Sequence, residues 1–208
     1  GRLLRAPKVK AKACMLFPRT HYIQMQEEYF NVGLSFELFL RAFGELDILH
    51  EEQVVDDRLD GYQVLVLFDV KVLPAKVAQR IAAFVEKGGM MIADCVPQMN
   101  EYKEPMATMA ELFGVRDAET GRIVRSGHWV PYRNTHPAMW ANRPAEPPDE
   151  TVYKTDRLAG EVLGQALEVE LVSPRGCTVG GGEVLAKTEA GQPGVVRRKV
   201  GGGQAFLL

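Results

Sequence analysis

Residues 62–95, YQVLVLFDVKVLPAKVAQRIAAFVEKGGMMIADC, constrain the fold more than any other part of the chain. QVLVLFD holds five apolar residues in a row and is opened by Asp60-Gly61. That pattern reads as a strand buried on both faces, because a half-exposed strand would alternate with polar residues. Pro74 suits the first turn of a helix, where its missing N–H is not needed. Val77, Ile81, Phe84 and Val85 then recur at helical spacing, and Gly88-Gly89 supplies the stop. MMIADC follows as another buried strand. Apolar strands joined by an amphipathic helix form a parallel pair covered on both sides.

The flanking sequence extends this unit. Residues 9–18, VKAKACMLFP, alternate and then turn fully apolar, which predicts a further buried strand. Tyr22, Met25, Tyr29, Val32, Phe36, Leu40 and Phe43 form one stripe of a long helix that Gly44 would end. LDILH reads as a short strand, EEQVVDDRLDG as an acidic loop, and residues 106–114 as a short helix. The order β-α-β-β-α-β-α, with right-handed crossovers, predicts an α/β fold with a flavodoxin-like, doubly wound, mainly parallel sheet. ALEVELV has the alternation of a half-buried strand. EVLAKT, GVVRRKV and QAFLL, joined by glycine-containing turns, predict a C-terminal antiparallel meander. The reading is of one domain, residues 1–208. Its core spans 9–115 and 183–208, with an irregular insertion of about 116–182 that holds ALEVELV and, in the Pro- and Trp-containing excursion at 121–150, one short strand at 122–126.

Composition excludes several classes. At 208 residues, 46% apolar and 25% charged, the chain can bury a core without disulfides or a metal. A net charge of −2 argues against a general nucleic-acid binder. Arg197-Arg198-Lys199 reads as a solvated strand edge. Three widely spaced cysteines make neither a disulfide framework nor a zinc-ligand set. No apolar run approaches the roughly 20 residues that span a bilayer. The GGG runs at 180–182 and 201–203 lack the strand, helix and Lys-Ser/Thr context of a phosphate loop and read as turns. No cofactor, metal, nucleic acid or membrane is expected. The two ends, Gly1-Arg2-Leu3 and QAFLL, are those expected of a domain excised from a longer protein.

In an open α/β sheet, ligands sit beyond the carboxyl ends of the strands. Here those ends are Phe17-Pro18, Asp69 and Asp94-Cys95. Cys95, at a strand-to-helix elbow, has the position of a nucleophile, and a cysteine-dependent hydrolase would need His128 or His136 as its base. Unpaired cysteine is also a common core residue. A small-molecule or carbohydrate-binding module would instead use Asp69, Asp94 and Cys95 at the strand ends. Asp56, Asp57 and Asp60 lack the ligand alternation of a cation loop and read as a solvated segment. Trp129, Tyr132 and Trp140 are available for a contact surface or for core packing.

The stretch from Leu59 to Cys95 resembles the class I glutamine amidotransferase-like superfamily. It is most similar to the non-catalytic domain through which certain β-galactosidases trimerise. The residues that carry this are Leu59 and Tyr62 before the apolar strand, Val85, Gly88 and Gly89 at the end of the helix, and the strand from Met90 to Ala93. AELFGV and the closing strands from Glu183 to Leu208 are similar to elements of the same family, whereas 116–182 has no counterpart. Active members present the nucleophile in an elbow of the form Gly-x-Cys-x-Gly-x-Gln, with a later His-x-Glu pair. Cys95 falls at that elbow but is followed by Val96-Pro97-Gln98, and proline removes an N–H and fixes φ where the oxyanion turn belongs. Neither His128 nor His136, the histidines after Cys95, has a glutamate two residues on. The resemblance therefore implies a non-catalytic accessory domain with no catalytic residues. Its partners would be further copies of the chain or flanking domains of a carbohydrate-active parent protein.

Overall fold

The computed structural model describes residues 11–25, 30–116, 155–172 and 177–208. The strand expected at 122–126, His128, His136, Trp129, Tyr132 and Trp140 lie outside the described residues, as do the first residues of the strand expected at 9–18. The strands are β1 (Ala13–Phe17), β2 (Leu46–His50), β3 (Val64–Leu67), β4 (Met90–Ala93), β5 (Val115–Arg116), β6 (Thr155–Val162), β7 (Gln165–Val172), β8 (Thr178–Val179), β9 (Glu183–Thr188), β10 (Pro193–Val200) and β11 (Gly203–Leu207). The α-helices are α1 (Arg19–Met25), α2 (Phe30–Phe43), α3 (Glu51–Val55), α4 (Ala75–Glu86) and α5 (Thr108–Phe113).

Nine strands form one mixed sheet in the order β2-β1-β3-β4-β11-β10-β9-β6-β7, and β5 pairs separately with β8. The first five are mutually parallel. From β11 onward every pairing is antiparallel.

Two cores explain the apolar strands. Ala13, Met15 and Val66 pack on one face with Tyr22 of α1 and Phe36, Phe39 and Leu40 of α2. Cys14, Leu16, Leu65, Leu67, Met91 and Ala93 face the other way, against Val77, Ile81 and Phe84 of α4 and Met109 and Phe113 of α5. Successive residues of β1 and β3 therefore enter different cores, and neither strand has a solvent face to make polar. The α4 stripe ends in a Schellman motif. Gly89 N–H donates to Phe84 O and Gly88 N–H to Val85 O, both at 3.0 Å, with Gly88 at φ +116°.

The periodic stretch from Tyr22 to Phe43 is helical at α1 and α2, and residues 26–29 between them lie outside the described residues. The structure departs from the sequence expectations in three places. The expected acidic loop at 51–61 contains α3 and a 3-10 turn, Arg58–Gly61. Its charges hid two anchors, Val54 and Leu59, which are fully buried. Gln53 Oε1 accepts the His50 N–H at 2.8 Å and so closes the first turn of α3. Residues 155–162, expected to be irregular, form β6. Gly160 sits there because a Cβ would run into Leu185 O and Ala186 of the neighbouring strand. Finally, β11 pairs with β10 as a meander should, yet its other edge pairs in parallel with β4. The C-terminal strands thus continue the central sheet instead of forming a separate layer.

Candidate functional site

The carboxyl ends of β1, β3 and β4 meet where the strand order reverses direction between β1 and β3, the usual ligand position in such sheets. Beyond Leu67 the chain turns at Asp69, a non-glycine residue at φ +54°. Its backbone N–H donates to Asp94 Oδ1 at 2.7 Å, which ties the end of β3 to the end of β4. Two of the three strand-end candidates are therefore brought together. The third, Cys95, is buried, and its Sγ donates to Val70 O at 3.4 Å.

Two further polar residues complete the cluster. Lys71 is buried with its Nζ 3.8 Å from Asp69 Oδ1, and its backbone N–H donates to Nδ1 of the fully buried His21 at 3.2 Å. Reading the sequence for strand ends alone missed both. The signal was present in DVKVLP, where one cation stands inside an apolar run. A charge so placed must be paired to be held in a core.

The loops after β3 and β4 zip together over the strand ends. Leu73 N–H donates to Met99 O at 3.0 Å, Gln98 N–H to Lys71 O at 3.1 Å, and Met106 N–H to Gln98 O at 2.8 Å. Val70, Val72, Leu73 and Val96 are buried beneath them. Glu101 fastens the outer turn: its Oε2 accepts the Ala75 N–H of α4 at 2.8 Å, and its carbonyl accepts from Gln24 Nε2 of α1 at 2.8 Å. The result is a covered crevice with its polar groups turned on one another.

His50 and Glu52 form a His-x-Glu pair ahead of Cys95 in the sequence. His50 ends β2, three strand spacings from β4, or about 14 Å across the sheet. Its ring lies 5.2 Å from that of Phe17, and Glu52 pairs with Arg19. Its neighbour Glu51 is buried and accepts from the Thr20 N–H at 3.0 Å and the Thr20 Oγ1 at 2.6 Å, which caps α1. Burial raises the Glu51 carboxyl above its ordinary value, against the lowering effect of those hydrogen bonds.

The other thiols are not activated. Burial, with a smaller contribution from Asp47, pushes Cys14 up to about 12, and burial also raises Cys177. Asp57 pairs with Arg80 of α4, and Asp60 with Lys87, the residue that follows α4, at 3.2 Å. Among the described residues no group of three or more His, Cys, Asp or Glu could hold a metal ion. An open depression of about 370 Å³ lies elsewhere, on β6, β7 and β9, lined by Arg157, Ala159, Glu168, Lys187, Thr188 and Glu189.

No protein-family model matches the chain, and neither does any curated protein. Solved structures do. The chain superposes on the β-galactosidase from Bacillus circulans sp. alkalophilus with a TM-score of 0.66 at 15% identity, covering 100% of this chain and 30% of that one. The β-galactosidase from Rahnella sp. R3 gives 0.65 at 18%, covering 97% and 29%. A thua-like protein from Bacteroides uniformis gives 0.54 at 12%, covering 98% and 84%. At these identities the likeness establishes the fold alone: this chain folds like a segment that makes up under a third of those β-galactosidase chains.

Proposed function

We propose that this chain is a non-catalytic accessory domain of a larger, carbohydrate-active parent, in which it serves assembly or inter-domain packing. The observation that carries the reading is one of coverage, since the likeness takes in the whole chain but less than a third of the β-galactosidase chains. On this reading the domain belongs to the amidotransferase-like superfamily, with a flavodoxin-like doubly wound core over 9–115 and 183–208 and an insertion between. The parallel order β2-β1-β3-β4-β11, with α1 and α2 on one face and α4 and α5 on the other, supports it.

Cys95, Asp69 and Asp94 then serve structure, not chemistry. The burial of Cys95, its hydrogen bond to Val70 O and the proline at residue 97 favour that assignment over a nucleophile. Two measurements test the reading. Light scattering of the full-length parent should show self-association or tight docking that deletion of this domain abolishes; a strictly monomeric parent removes the oligomerisation role. Alkylation at neutral pH should modify Cys95 more slowly than a free thiol, and a faster rate would restore the hydrolase reading.

A further inference from the structure

The loop after β4 contains a tight turn, residues 100–104, NEYKE, that is closed by its own hydrogen bonds. Asn100 N–H donates to Glu104 O at 2.9 Å, and Lys103 N–H to Asn100 O at 3.0 Å. Asn100 Oδ1 accepts the Tyr102 and Glu104 N–H groups at 2.9 and 3.0 Å. An antiparallel bridge between Met99 and Pro105 joins its base. Lys103, at φ +60°, fills the left-handed position that three-residue loops of this kind usually give to glycine. Side chains kept in that region despite the steric strain cluster at functional sites.

The chain itself engages both acids of the turn. Glu101 Oε2 accepts the Ala75 N–H at 2.8 Å, and Glu104 Oε2 accepts from Asn100 Nδ2 at 2.9 Å. Lys103 is exposed and has no ion pair among the described residues. Tyr102 beside it is 76% exposed. Ile23 of α1, 64% exposed, stands at the same rim, because Gln24 Nε2 donates to Glu101 O at 2.8 Å. The turn thus presents an amphipathic ring and a cation on a backbone that needs no further ordering. Tyrosines held in this way anchor interfaces, since little conformational freedom is left to lose on contact.

We propose that Tyr102 and Lys103 form a docking knob that enters an apolar hollow edged by a carboxylate on an adjoining domain of the same parent polypeptide. Charge sets the choice of occupant: with Glu101 and Glu104 held internally, the turn offers one ring and one positive charge. The ring fills the hollow, Lys103 meets the carboxylate, and Ile23 extends the contact along the rim. The open depression on β6, β7 and β9 is lined mainly by charged residues of both signs, so it does not supply such a hollow to a second copy. The inference rests on the packing role proposed above and names the contact through which that role acts.

Zero-length carbodiimide cross-linking of the full-length parent, mixed from unlabelled and isotope-labelled copies, tests it. The reagent joins an amine to a carboxylate only where the two touch. The expected product links Lys103 to an aspartate or glutamate outside this chain but within the same copy of the parent. Tyr102→Ala should lower its yield about fivefold. Lys103→Gly should abolish it without lowering the melting point of this chain, because glycine suits the left-handed turn. A cross-link between labelled and unlabelled copies, one confined to this chain, or none at all would overturn the proposal. In each of those cases, loss of assembly on deleting the domain would leave the packing role standing, and unchanged assembly would remove that role too.

Discussion

At the scale of single residues, the buried carboxylate of Glu51 and the half-buried one of Asp94 do opposite work. Glu51 has a folded-state value above its ordinary 4.5, chiefly from burial. The folded chain therefore holds that proton more tightly than the unfolded one. The stabilisation is complete below the ordinary value and is lost as pH rises through the raised value. Thermal melting from about pH 4 upward should show the wild type losing ground to Glu51→Gln; parallel curves would refute the assignment. Asp94 serves as an acceptor. Asp94→Ala removes the acceptor of the Asp69 N–H and should lose about 1–3 kcal/mol in urea unfolding. Asp94→Asn keeps the oxygen and should lose less, so equal losses would show that charge, not the hydrogen bond, matters. The sequence placed Asp69, Asp94 and Cys95 at neighbouring strand ends because strand termini follow from apolar run lengths. It could not supply His21, whose link to Lys71 joins residues 50 apart through one backbone N–H.

At the scale of elements, apolar periodicity was legible and charge-rich segments were not. The faces of α4 and the strands β3 and β4 follow from Val77, Ile81, Phe84 and the runs VLVL and MMIA. The acidic segment at 51–61 looked like a loop because Val54 and Leu59 are outnumbered by carboxylates, though those two are what packing selects. β6 was hidden by Gly160, which a β-propensity reading treats as a breaker and which the neighbouring strand requires. Close approach recurs at the start of β11, where a Cβ on Gly203 would run into Val85 O and Gly89 O. Gly203→Ala should destabilise the chain by about 1–3 kcal/mol, since backbone must move to make room. A melting point equal to wild type would mean that the contact of α4 with β11 is looser than described.

At the scale of the whole molecule, the sheet is two materials in one. The parallel half is sealed between helices, and the antiparallel half ends in a hairpin with exposed residues. Native-state hydrogen exchange should find the amides of β3 protected to the level of global unfolding, and those of β7 released by smaller openings. Uniform protection across both strands would contradict this division. The position of β11 also bears on how the molecule comes to exist. Met91 finds its neighbour Ala205 only after more than a hundred intervening residues have been made, so the sealed half stays one strand short through most of its own synthesis. Pairing over such a span is slow to form, although its entropy cost grows only with the logarithm of the loop length. A ribosome would release the final strand before the first four could become a finished wall, leaving that gap exposed to chaperones or to stray strands in the meantime.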